Sequence, residues 1–83
     1  MLNIKVLGPG CDNCKRLAWL AERAANHLSI EVQIEKVTDY IEIMKYSILA
    51  TPGLVINEKL VASGRVPSEA EITTFLTSEM ESA

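Results

Sequence analysis

The rhythm of apolar and polar positions changes several times along this chain, and each change marks an element. Leu2-Asn3-Ile4-Lys5-Val6-Leu7 alternates, which predicts a strand with Leu2, Ile4 and Val6 on one face. Gly8-Pro9-Gly10 breaks that strand. From Cys11 to about Leu28 the period lengthens. Cys14, Leu17, Ala18, Ala21, Ala25 and Leu28 recur at helical spacing and form one buried stripe. Ile30-Glu31-Val32-Gln33-Ile34-Glu35 then alternates strictly, as a half-buried strand does, and its charged outer face suits a sheet edge.

Asp39 is placed to cap a second helix, with Glu42 completing a capping box and Ile41, Met44 and Ile48 on the buried side. Thr51-Pro52 interrupts it. Gly53-Leu54-Val55-Ile56 is a short apolar run suited to an interior strand. Asn57-Glu58 reads as a two-residue hairpin turn, from which Lys59-Leu60-Val61-Ala62-Ser63 returns antiparallel until Gly64 ends it. After Pro67, Ser68-Glu69-Ala70-Glu71 is a second capping box, and Ile72, Phe75 and Leu76 supply the inner face of a last helix.

The expected fold class is therefore α/β, in the order β-α-β-α-β-β-α. Strands separated by helices pair in parallel and the late hairpin adds antiparallel strands, giving a mixed four-stranded sheet flanked by three helices. With 83 residues and no repeat or linker, one domain spanning residues 1–83 is expected.

Composition narrows the function. Hydrophobic residues make up 48% and charged residues 23%, the balance of a folded globular chain. The net charge is −3, and Lys15-Arg16 is the one adjacent basic pair. That argues against nucleic acid or an anionic membrane surface as the main partner. No apolar run is long enough to span a bilayer, and residues 1–7 lack the apolar core of a secretory signal. A cytosolic, monomeric protein is expected.

Both cysteines fall in the stretch GPGCDNC, residues 8–14. A structural disulfide across two residues would constrain almost nothing in the unfolded chain. Two readings then compete: a redox pair and half of a soft-metal site. A dithiol that exchanges disulfides needs one thiolate near neutral pH, access for a partner, and a second thiol to resolve the mixed disulfide. A helix N-terminus favours the thiolate. Cys11 at the helix start is thus the expected nucleophile and Cys14, turned inward, the resolving thiol. Lys15 and Arg16 would favour the thiolate, Asp12 would oppose it, and Gly8-Pro9-Gly10 keeps bulk away from Cys11. Thiolates at this spacing also suit Cu(I), and a domain that docks or carries a ligand without turnover is a third reading. A four-coordinate zinc site would need two more ligands, and His27 is the sole histidine.

The segments IKVLGPGCDNC, TPGLVINEKLVASG and RVPSEAEI, in this order, resemble the thioredoxin superfamily, and in particular its small prokaryotic redox-active disulfide proteins of glutaredoxin size. The resemblance implies a thioredoxin-like fold and dithiol–disulfide exchange without a bound cofactor. It implies a cis Pro52 facing the cysteines, a Thr51 backbone that pairs with the substrate chain, and substrate contacts at Gly10, Asp12 and Asn13. The implied partners are disulfide-containing proteins and a thioredoxin-reductase-type flavoprotein or other thiol reductant. Copper chaperones share the Gly-X-X-Cys-X-X-Cys loop but follow β-α-β-β-α-β, whereas this chain puts its hairpin late. A Pro52 facing the cysteines would also crowd a bound metal.

The chain departs from the family at Asp12-Asn13, which replaces the usual dipeptide, at Gly10, where thioredoxins carry Trp, and at Lys5, where they carry a buried Asp. Elsewhere, Trp19 falls off the helical stripe and is expected to be partly exposed. His27 sits in the last helical turn, where its charge suits the dipole. Tyr40 and Tyr46 are expected to pack with their hydroxyls in water.

Overall fold

In the computed structural model, which describes residues 2–10 and 12–82, the elements follow one another in the expected order. They are β1 (Leu2–Leu7), α1 (Asp12–His27), β2 (Val32–Val37), α2 (Tyr40–Met44), β3 (Gly53–Ile56), β4 (Lys59–Ser63) and α3 (Glu69–Ser82). The strands form one mixed sheet in the order β2-β1-β3-β4. β1 runs parallel to β2 and antiparallel to β3, and β3 pairs antiparallel with β4. The two central strands are accordingly the most apolar, and every residue of β3 is buried.

Strand alternation sorts β1 between two cores. Ile4 and Val6 join Leu54 and Ile56 beneath α1 and α3, where Leu17, Ala21, Ala24, Ala25, Ile72 and Leu76 close over them. Leu7 faces the other way, into a smaller cluster with Val37, Val55 and Ile43 of α2. The buried face of α1 is largely alanine. Small side chains there let the helix lie close to the sheet. Ala24 joins the stripe expected from the spacing, while Leu28 is only half-buried.

Four local expectations need correction. β2 begins at Val32, not Ile30. Ser29 adopts a left-handed conformation (φ 54°) and closes the helix end: its N–H donates to Asn26 O at 3.1 Å, and the Ile30 N–H to Ala25 O at 3.2 Å. That closure uses the Ile30 amide before a strand can. In α2, Ile43 is the buried residue, whereas Ile41 and Met44 are exposed. The helix stops at Met44 and Ser47 turns left-handed (φ 56°), so the stripe that would have run through to Ile48 is broken. Asp39 does cap α2, accepting from the Ile41 N–H at 3.0 Å, but Glu42 bonds Lys45 Nζ at 3.0 Å instead of completing a box. Tyr40 is exposed rather than packed.

The hairpin and the last helix form as read. Asn57 and Glu58 both have positive φ (48° and 68°), as a tight hairpin turn of matching twist requires. Ser68 and Glu71 form a reciprocal capping box: the Glu71 N–H donates to Ser68 Oγ at 3.2 Å and the Ser68 N–H to Glu71 Oε1 at 3.3 Å. α3 is tied to α1 at the surface through Glu69, whose carboxylate accepts from Arg23 Nε at 2.6 Å and lies 3.3 Å from His27 Nδ1. Arg23 also stacks over the exposed Trp19 ring at 5.0 Å.

Replacing Ser68 by Ala removes one half of the box, with an expected loss of about 1 kcal/mol. Urea unfolding should show a lower midpoint at unchanged slope, and Ser68→Asp should restore most of the loss. An unchanged midpoint would mean that the cap does not hold α3.

Candidate active site

The site is built where β1 meets α1. β1 ends at Leu7 with its neighbour Gly8 still tied to β2 through a 2.9 Å bond from the Gly8 N–H to Val37 O. The chain then turns, and α1 starts at Asp12. The expected nucleophile, Cys11, lies outside the described residues. Cys14 sits on the first turn of α1 and is 5% exposed. Its sulfur occupies the space a side chain on Gly8 would take, since a β-carbon at that position would overlap Cys14 Sγ. Glycine at residue 8 is thus a packing requirement of the thiol. Gly10 has φ +91°, a conformation that other residues rarely adopt, and open space where a side chain would be. Pro9, Gly10, Asp12 and Asn13 are all exposed, so the turn itself is open to a partner.

The second part of the site arrives from the far side of the sequence. The Thr51–Pro52 peptide is cis. Pro52 is buried and Thr51 exposed. Thr51 Cβ lies 3.8 Å from the point where a Gly8 β-carbon would stand. Thr51 and the Cys14 sulfur therefore flank the same glycine. The Thr51–Pro52 segment is held from β4: the Gly64 N–H donates to Pro52 O at 2.9 Å. Gly53, which opens β3, admits the Ile48 side chain into the place of its own. Of the residues expected at the site, Cys14, Thr51 and Pro52 are brought together, and Gly10, Asp12 and Asn13 form the exposed shoulder beside them.

Lys5 does not substitute for an acid behind the cysteines. It lies on the sheet face opposite α1, where its Nζ donates to Glu58 Oε1 at 2.7 Å and to the Tyr46 hydroxyl at 2.9 Å. The Glu58 hydrogen bond, with that of Tyr46, holds the ammonium charged well above its ordinary range. The Lys5 hydrogen bond in turn holds the Glu58 carboxyl below the usual carboxylate range. The Tyr46 hydroxyl, expected in water, is engaged by both partners. No sequence signal joins these three residues. Three large apolar side chains are exposed on this side of the chain: Leu49 is 100% exposed, and Ile41 and Met44 stand out from α2. Among the described residues no group of three or more His, Cys, Asp or Glu side chains is arranged to hold a metal ion.

Comparison with known proteins places this arrangement. A family model described as a thioredoxin domain matches residues 2–77. A thioredoxin of Methanothermobacter thermautotrophicus is 36% identical over 76 residues, covering 92% of this chain and 99% of that protein. A thioredoxin of Methanocaldococcus jannaschii is 35% identical over 81 residues, covering 98% and 93%. Among solved structures, the malaria parasite's thioredoxin-2, a component of its protein secretion machinery, superposes with a TM-score of 0.67 at 12% identity, over 94% of this chain and 82% of that one. The germline-specific thioredoxin Deadhead of Drosophila melanogaster gives 0.63 at 18% identity, over 93% and 79%. Likeness at that identity speaks for the fold alone. With the family model covering nearly all of its length and two relatives above one-third identity, the chain belongs to the thioredoxin family of thiol–disulfide oxidoreductases.

Proposed function

We propose that this protein reduces disulfides in partner proteins through a Cys11–Cys14 dithiol. The observation that carries the reading is the Cys14 sulfur seated on Gly8 in the first turn of α1, with Thr51 beside it at the same open side-chain position of that glycine. The Cys11 thiolate attacks one sulfur of the partner's disulfide, and the other partner sulfur leaves as a thiolate that takes up a proton. Cys14, once deprotonated, attacks the Cys11 sulfur of the mixed disulfide. The partner departs with both sulfurs reduced, and its two electrons have come from the Cys11–Cys14 pair, now a disulfide. A thioredoxin-reductase-type flavoprotein or another thiol reductant returns them. The electrons reside in the two sulfurs, so the exchange calls for no bound cofactor.

The geometry supports a division of labour. The free N–H groups and dipole at the start of α1 stabilise a thiolate there. Thr51 is exposed, and its backbone offers hydrogen-bonding groups to an extended substrate chain, with the exposed turn of Gly10, Asp12 and Asn13 beside it. A cytosolic setting, where partner disulfides are kept reduced, suits this chemistry.

The test is trapping. Cys14→Ser should accumulate a covalent adduct with a disulfide-containing protein, seen by non-reducing electrophoresis and released by dithiothreitol. Cys11→Ser should form no adduct and have no exchange activity. A Cys11→Ser protein with full activity would end the proposal. Gly8→Ala provides a second test, because its methyl group must displace the Cys14 sulfur. The expected outcome is a resolution step slowed about 10- to 100-fold, a misplaced-group penalty, with the mixed disulfide persisting in stopped-flow quench experiments. Wild-type resolution in Gly8→Ala would show that Cys14 does not act from its seat on Gly8.

A further inference from the structure

Three residues far apart in sequence close a ring on the sheet face opposite α1. Lys5 of β1 donates from Nζ to Glu58 Oε1 (2.7 Å) and to the Tyr46 hydroxyl (2.9 Å), and that hydroxyl donates to Glu58 Oε2 (3.0 Å). The ammonium also lies 5.6 Å from the Tyr46 ring centroid. An ion pair this open to solvent adds little to stability, the Glu58 side chain being 64% exposed. What three reciprocal bonds add is direction, because each partner is fixed by two others.

Two of the three ring members stand on firm ground. Lys5 is in a central strand, paired with Glu35 on one side and Val55 on the other. Glu58 is in the hairpin turn, and the adjacent Asn57 is bonded to β1: its N–H donates to Asn3 O at 2.8 Å, and its Oδ1 accepts from the Asn3 N–H at 2.9 Å. Tyr46 is different. It follows the short α2 and begins the connection to Thr51, in which Ser47 turns left-handed and Leu49, Ala50 and Thr51 are exposed. The far end of that connection is held at Gly64, which bonds Pro52 O and lies close against Ala50. The near end is held by Tyr46.

We propose that the Lys5–Tyr46–Glu58 ring is a positioning device that fixes the Thr51 backbone for pairing with an incoming protein chain, and so sets affinity for protein disulfides over small ones. This inference rests on the disulfide-exchange reading above. Lys5, Tyr46 and Glu58 touch neither the sulfurs nor the substrate in this account. They act through the loop.

Tyr46→Phe removes the hydroxyl and keeps the ring. Glu58→Gln keeps the shape and removes the charge. Single-turnover reduction by the pre-reduced protein is followed with insulin and with 5,5′-dithiobis(2-nitrobenzoate). For both variants the half-saturating insulin concentration should rise on the order of three- to tenfold at an unchanged maximal rate, the loss expected of one hydrogen bond. The rate with the small disulfide and the redox equilibrium with glutathione should stay within about twofold of wild type. Unchanged insulin saturation in either folded variant overturns the proposal. So does an equal loss with both substrates, or a shifted glutathione equilibrium, since the ring would then act on the sulfurs and not on the loop. A wild-type protein that reduces neither substrate would instead defeat the exchange reading itself.

Discussion

The close seating of α1 on β1 is the constraint on which the sulfur end of this molecule depends. Ala18, Ala21, Ala24 and Ala25 line the buried face of the helix, and only Leu17 there is large. A helix with such a face can approach the sheet until its first turn meets the strand end, and at that point Gly8 has no side chain to offer. The Cys14 sulfur fills the vacancy. Bulk at residue 8, or larger residues along the alanine stripe, would lift the helix and move the sulfur away from Thr51. The packing of an ordinary core thus sets the position of the Cys14 sulfur, and sequence and packing meet at one glycine.

The two faces of the sheet divide the remaining work. α1 and α3 cover one face and supply most of the buried apolar surface, the main source of folding free energy. The other face is covered by the five-residue α2, whose Ile43 packs on Leu7, Val37 and Val55, and by Tyr46 and Ile48 of the connection that follows. Apolar side chains stand in water at Ile41 and Met44 of α2 and at Leu49 of the connection to Thr51. This face also carries the charged ring of Lys5, Tyr46 and Glu58. The face under two helices holds the thiol, and the face under the short α2 holds the loop that leads to Thr51.

What could be read from the sequence was local. The shared face of Leu2, Ile4 and Val6, the buried run at 53–56, the turn at Asn57-Glu58 and the Ser68–Glu71 box each depend on neighbours within a few positions, and each formed as read. Errors arose where one local device pre-empted another. The left-handed closure at Ser29 took the amide that β2 was expected to use, and the short α2 turns Ile43, not Ile41 or Met44, onto the sheet. The Cys-X-X-Cys pair was visible as a motif, and resemblance supplied its pairing with Thr51 and Pro52. The seat of Cys14 on Gly8 and the ring around Lys5 were not legible. Both are contacts between surfaces that only the folded topology brings face to face, and Lys5 meets Glu58 across 53 positions.

The central claim is that Cys11 and Cys14 act as one two-electron couple. Equilibrating the protein in thiol buffers of defined potential and counting free thiols by alkylation and mass measurement tests it directly. The account predicts that both thiols appear and disappear together, in a single two-electron transition within the span of about −270 to −120 mV covered by related dithiol proteins. Two thiols that react independently, with no intramolecular disulfide at any potential, would contradict it.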